Sequence, residues 1–290
     1  MERLINLGVN VVNISIKEAI ALGLGRVEIS LGKEKEYKDK LRKFIENVND
    51  AEILKIPYSI HLPVYIEDWY PYDYFSAFFI DEDEKKREIS FKLLEHNLQN
   101  LKKYSADYYV LHFPGISAKW SNTKKFNDTL KYSLNQLNTI AEKYKVKINL
   151  EYFGSNKNFF DYNDWINTIK NYKNLGILLD TGHLYFASLM NNFDFTKALK
   201  ALASSSDAFH IWTVIGDGVY SQSKSYQKYH HIAPHLEQLK KNGWAFDTKK
   251  VVEIIAKENK PVIIEPSIKY KGIDYLIKGI NSIKNFLLYR

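Results

Sequence analysis

The chain contains no cysteine, which excludes disulfide staples, thiolate metal sites, iron–sulfur clusters and cysteine nucleophiles. Any metal must therefore sit on His, Asp and Glu. Only 7 prolines and 13 glycines punctuate the 290 residues, too few for a collagenous, low-complexity or disordered chain. No apolar run approaches the roughly 20 residues needed to cross a bilayer. The opening MERLINLGVN has neither a basic lead nor a small-residue cleavage site, so a cytoplasmic protein is expected. No Pro/Ser/Gly-rich linker and no short-period repeat divides the chain, which favours one domain over residues 1–290. The formal charge of +7 comes mainly from scattered lysines and reads as a solvated surface more than as a polyanion-binding patch.

What is present is an alternation. Eight short β-branched or aromatic runs recur: Leu4 to Val9, Arg26 to Ser30, Ile56 to His61, Tyr108 to His112, Val146 to Glu151, Leu175 to Asp180, Ala208 to Trp212 and Pro261 to Glu265. Between them lie longer stretches of helical period. In Asp81 to Tyr104 the acidic opening DEDE suits a helix N-terminus, and Ile89, Leu93, Leu94, Leu98 and Leu101 recur at three- and four-residue steps. Asn122 to Tyr144 does the same with Leu130, Leu134, Leu137 and Ile140, capped by Asn122 or Ser121. Asp247 is a cap for Lys249 to Lys257, and Ile273 to Leu287 closes the chain. Strand–helix repetition of this length predicts an α/β fold, a (β/α)8 TIM barrel. The alternative, an open doubly wound sheet, would want a Gly-rich first turn, and Leu7-Gly8-Val9-Asn10 is not one.

Polar residues fall at telling positions. His61, His112, Glu151, Asp180, His210 and Glu265 stand at or near the C-terminal ends of six predicted strands, in YSIHLP, YVLHFPG, INLEYFG, ILLDTGH, AFHIW and VIIEPS. In a barrel those ends converge on one face, so groups far apart in sequence can surround one centre. Imidazoles and carboxylates buried there are costly unless paired or coordinated, which favours a cation. Glu28, in RVEIS, ends its strand similarly and reads equally as a surface or hydrogen-bonding carboxylate. His183, three residues after Asp180, can turn over the same pocket. His230, His231 and His235 follow the seventh strand, and one of them is expected to reach the site. His96 lies on the apolar face of its helix and reads as a packing or solvent-edge residue.

On these residues the chain resembles the xylose-isomerase-like barrels, which include endonuclease IV and the sugar epimerases and isomerases related to tagatose epimerase. The resemblance runs through nearly the whole chain. It implies that Glu151, Asp180, His210 and Glu265 form the shared metal set. It implies that His61 and His112 match two further histidines of the endonuclease group, with Glu151 bridging two cations. His183 matches the histidine of the DTxH motif, and His231 the second histidine of a third zinc site. That placement of His231 puts Tyr229 where the endonucleases carry aspartate, and the DNA-contacting loop is not obvious after His61.

Three carboxylates and one imidazole suit Mn²⁺, Mg²⁺, Co²⁺ or Zn²⁺, and the added histidines suit zinc, giving one to three divalent cations per chain. Two chemistries stay open. One is a metal-dependent sugar or sugar-phosphate isomerase or epimerase, with Glu151 and Glu265 exchanging a proton and His183 holding a hydroxyl, acting on a small-molecule substrate. The other is a zinc-dependent DNA phosphodiesterase of the abasic-site type. A binding scaffold without catalysis is the third class. The aromatic loop Glu67 to Phe75 is a candidate lid, with packing on its neighbours as the equal alternative. Gly216, Asp217, Gly218, Lys224 and Lys228 could hold phosphate or form a surface loop, and Lys119 and Trp120 could touch substrate or simply lie on the surface.

Overall fold

Parallel strands covered on both faces need apolar side chains on both, which is why the eight runs read as near-continuous hydrophobic stretches rather than alternating ones. The computed structural model describes residues 4–73, 77–114, 120, 122–215, 231–265 and 267–289. In it the runs become β1 (Leu4–Asn10), β2 (Leu24–Ile29), β3 (Tyr58–His61), β4 (Tyr108–Phe113), β5 (Ile148–Tyr152), β6 (Leu175–Asp180), β7 (Ala208–Ile211) and β8 (Val262–Ile264). They close in sequence order, all parallel, with β8 paired back to β1. This is a single-domain TIM barrel.

Among the described residues the helices are α1 (Ile16–Ala21), α2 (Tyr37–Ile53), α3 (Glu84–Leu101), α4 (Thr123–Tyr144), α5 (Tyr162–Ile169), α6 (Thr181–Asn191), α7 (Phe195–Ala203), α8 (Thr248–Ile255) and α9 (Gly272–Leu288). The side chain of Asn122 caps α4 by accepting the Lys125 N–H at 3.0 Å. Leu130, Leu134, Leu137 and Ile140 are buried along that helix, as their spacing predicts. Asp247 stands at the N-cap of α8 but does not cap it with its side chain. Its carboxylate accepts the Lys240 N–H, from the preceding 3-10 turn, at 2.8 Å and pairs with Lys250 at 2.8 Å instead. Among the described residues no helix is long and apolar enough to cross a membrane.

Two cores result. One lies between strands and helices, with Val9, Val27, Ile29, Ile60, Leu111, Leu150, Ile177, Leu179, Phe209 and Ile211 facing outward onto the helices. The other fills the barrel lumen with Tyr108, Val110, Leu178 and Ala208. Side chains alternate along a strand, so a residue two places beyond a lumen residue also faces the barrel axis. His112 follows Val110, Asp180 follows Leu178 and His210 follows Ala208 at that interval. The pleat therefore delivers each polar side chain to the mouth of the same cylinder.

Candidate metal centre

His210, fully buried on β7, anchors the centre. Its Nδ1 lies 3.4 Å from Glu265 Oε1, 3.6 Å from Glu151 Oε1 and 3.9 Å from Asp180 Oδ2, and it meets no hydrogen-bond partner. Glu151, Asp180, His210 and Glu265 each offer one atom to a group whose members all lie within 4.8 Å of one another. Two donors bound to one small cation at about 2.1 Å stand about 3.4 Å apart at a tetrahedral angle, so these spacings suit a shared ion. A buried imidazole nitrogen that faces three carboxylate oxygens and makes no hydrogen bond is a fitting cradle for a divalent cation. Three oxygens and one nitrogen make the set hard and borderline in character, compatible with Mn²⁺, Mg²⁺, Co²⁺ or Zn²⁺.

Glu151 faces two ways. Its Oε1 turns to His210, while Oε2 receives His112 Nε2 at 3.1 Å and His61 Nε2 at 3.2 Å, forming a second cluster that could hold an ion. His61 and His112 sit edge to face with ring centres 4.7 Å apart, and each of their strands runs into a cis X-Pro bond, Leu62–Pro63 and Phe113–Pro114. His61 also belongs to a third cluster of possible donors with Glu28 and Glu265.

Asp180 serves the helix and the centre together. It is the N-cap of α6, where its Oδ1 accepts the His183 N–H at 2.7 Å, and the positive end of the helix favours its negative charge. Its Oδ2 accepts the indole N–H of Trp212 at 2.6 Å. The glycine between Thr181 and His183 is required by that indole, because a Cβ on Gly182 would lie 2.3 Å from the Trp212 ring. His183 reaches in from the first turn of α6, with Nε2 at 3.6 Å from Glu151 Oε1 and its ring against Phe153 at 4.1 Å.

The electrostatics are those of a negative pocket. Burial pushes the Asp180 carboxyl well above the carboxylate range, and the charges of Glu151 and Glu265 push it further. Burial, with Glu151 and Glu28, also raises Glu265. Burial opposes protonation of His210, but Glu28, Glu265 and Glu151 override it and hold the imidazole well above its usual value. His61 behaves alike: burial opposes the shift, and Glu151, Glu28 and Glu265 push it up to about 9. For Glu151 burial is outweighed by His112, His210 and His61, which hold it well below the usual range. The centre thus recruits positive charge, as protons or as a cation.

Of the residues singled out in the sequence, Glu151, Asp180, His210, Glu265, His61, His112 and His183 all meet here. His231 stands at the edge, its Nε2 3.7 Å from Glu265 Oε2 and its ring 4.3 Å from Trp212, and it joins none of the donor groups found among the described residues. His235 does not reach the centre. Its Nε2–H donates to the Tyr275 carbonyl at 2.9 Å and ties the loop to α9. His96 bridges to Glu67 at 3.0 Å on the flank of α3. The loop after β3 packs there too: Trp69 meets His96 edge-on and lies under Lys92 Nζ at 4.2 Å, Tyr70 is buried, and Tyr72 packs on Phe78. Trp120 donates its indole N–H to the Ile80 carbonyl at 2.8 Å, a packing role. Tyr74, Phe75, Lys119, Gly216, Asp217, Gly218, Lys224, Lys228, Tyr229 and His230 lie outside the described residues. Sequence reasoning missed Trp212 as a partner of Asp180 and left Glu28 open. The signal for Trp212 was its place at the end of β7, two residues after His210.

Several solved structures share this shape. A D-tagatose 3-epimerase-like protein superposes with a TM-score of 0.68 at 17% identity, covering 98% of this chain and 97% of its own. The IolI protein with a bound zinc atom gives 0.66 at 18% identity, covering 98% of both chains. A D-psicose 3-epimerase solved in the presence of D-fructose gives 0.60 at 14% identity, covering 98% of this chain and 97% of its own. In sequence, an uncharacterized protein of Methanocaldococcus jannaschii is 26% identical over 219 residues, 74% of this chain and 76% of its own length. The model of the xylose isomerase-like TIM barrel family matches residues 16–285, and this chain belongs to that family.

Proposed function

We propose that this protein is a divalent-metal-dependent isomerase or epimerase of a small sugar or sugar phosphate. The observation that carries the reading is the buried His210 Nδ1, open toward one oxygen each of Glu151, Asp180 and Glu265. Solved structures of the same fold include a D-tagatose 3-epimerase-like protein and a D-psicose 3-epimerase, which supports it. Glu151, Asp180, His210 and Glu265 would hold the cation, whose chemistry is to polarise a carbonyl so that the neighbouring C–H becomes acidic. Glu151 and Glu265 then have the proton to move, one taking it and the other returning it. His61 and His112 fix the outer oxygen of Glu151, so its Oε1 stays turned into the pocket. His183, beside that oxygen, would hold a substrate hydroxyl. Burial of Glu151, Asp180 and His210, with Glu265 partly exposed at the mouth, limits bulk water at the centre and strengthens each electrostatic contact.

The test is exchange of substrate C–H for deuterium in D₂O, with added Mn²⁺, across a panel of ketoses and their phosphates. Exchange with at least one of them, lost in Glu265→Gln, is expected; no exchange with any of them removes the reading.

A second reading rests on the two histidines that share Glu151 Oε2. They add a nitrogen-rich cluster beside the first, the kind of arrangement that suits a multi-zinc phosphodiesterase. Nicking of an abasic duplex by the zinc-loaded chain at low salt would support this chemistry instead, and intact duplex would count against it.

A further inference from the structure

Glu28 belongs to β2, one residue before its end, and is fully buried. A carboxylate taken out of water is costly unless its oxygens find donors, and here both do. Asn10 Nδ2 donates to Oε1 at 3.2 Å, Ser59 Oγ donates to Oε2 at 3.1 Å, and His210 Nε2 lies 3.0 Å from the same Oε2. Asn10 is fixed in turn by the Ser30 hydroxyl, which donates to its Oδ1 at 3.2 Å. Asn10, Glu28 and Ser59 stand in register on three adjacent strands, so the carboxylate is gripped from both sides of its own strand.

An ionised carboxylate only accepts, so the His210 Nε2 that meets it carries a proton. The contact also fixes the plane of the ring, and with it the direction of the opposite nitrogen. That nitrogen, Nδ1, is the one that faces Glu151, Asp180 and Glu265 and meets no hydrogen-bond partner. Histidines that ligate metals almost always donate their other N–H to such an outer partner, which sets tautomer, orientation and basicity. We propose that Glu28 is the positioning residue of the centre: it locks His210 with its proton on Nε2 so that Nδ1 offers a lone pair to a divalent cation. This rests on the reading of the cluster as a cation site and adds to it a residue outside the four-donor set.

The test is a Mn²⁺ titration against a chromophoric chelator on the wild-type chain, Glu28→Leu and Glu28→Gln, together with proton–nitrogen spectra of the Zn²⁺-loaded proteins. Leu removes both acceptors. Gln keeps the shape but cannot accept on both arms, because Asn10 donates to one and Ser59 and His210 to the other. Each variant is expected to bind Mn²⁺ roughly 10–100-fold more weakly. The exchange-protected imidazole N–H signal of His210, identified by its absence in His210→Ala, is expected to disappear in Glu28→Leu. If Glu28→Leu does not fold, Glu28→Gln carries the decision alone. Wild-type affinity retained in a folded variant, with the His210 signal intact, overturns this inference alone; a wild-type chain that takes up no Mn²⁺ overturns it together with the cation reading.

Discussion

His210 is informative because both of its ring nitrogens have assigned surroundings: a buried carboxylate on one side and three carboxylate oxygens on the other. A cluster so arranged depends on groups that never touch the ion. Trp212 is one, since its indole N–H fixes Asp180 Oδ2 while the His183 N–H fixes Oδ1. Trp212→Phe keeps most of the ring volume and removes only that donor, so Mn²⁺ affinity should fall about tenfold with the fold intact, as measured by competitive chelation and circular dichroism. Little of this outer layer is visible in sequence. The six ligand-like residues announce themselves by ending apolar runs, whereas Glu28, which also stands near a strand end, reads equally as a surface carboxylate until its partner 182 residues away is in place. The role of Trp212 was hidden for a different reason: an aromatic at a strand end is ordinary core material, and only its N–H distinguishes it.

Strands and helices were legible because their periodicities are physical consequences of burial. β6 coincides with its apolar run, and α4 begins one residue after the cap that its sequence offers. Boundaries elsewhere shift by one to three residues: α3 is three residues shorter at each end than the stretch Asp81 to Tyr104, β3 starts two residues after Ile56, and Glu265 stands just beyond β8, though its N–H still bonds the Ile211 carbonyl at 3.3 Å. Asp247 shows the limit of reading caps from sequence, since a carboxylate takes whichever donors the preceding turn presents. The two aspartate and asparagine caps therefore predict different outcomes. Asn122→Ala, which removes an observed acceptor at α4, should lower unfolding free energy by about 1 kcal/mol in a urea titration. Asp247→Ala should instead act through the Lys240 and Lys250 contacts, with no loss of a side-chain cap to α8.

The barrel as a body explains why so few residues make a site. Closing eight parallel strands brings seven possible donors, carried on or just after β2 to β8, to one mouth, where their charges can no longer be solvated separately. The centre meets that cost by drawing in positive charge. His61, raised to about 9, carries a proton at pH 7.5 in the metal-free chain, so a cation taking its nitrogen must displace that proton. Zinc loading of the chelated protein should therefore release protons into weakly buffered solution at pH 7.5, read with an indicator dye. The sign follows from the raised value: release persists below about 9, where the imidazole is still protonated, and diminishes above it. Correspondingly, zinc affinity of the His61 cluster should weaken as pH falls. The loop after β3, which the sequence left open between a lid and packing on its neighbours, belongs to this level too, and its described rings pack on one another and against α3.

Metal content decides the account. Wild-type chain and His210→Ala, each loaded with Mn²⁺, desalted and counted by plasma emission, should differ: at least one retained ion per wild-type chain and at least one fewer in the variant. A wild-type chain that retains no ion, or a variant that retains as much as the wild type, would contradict the assignment of Glu151, Asp180, His210 and Glu265 as a metal centre.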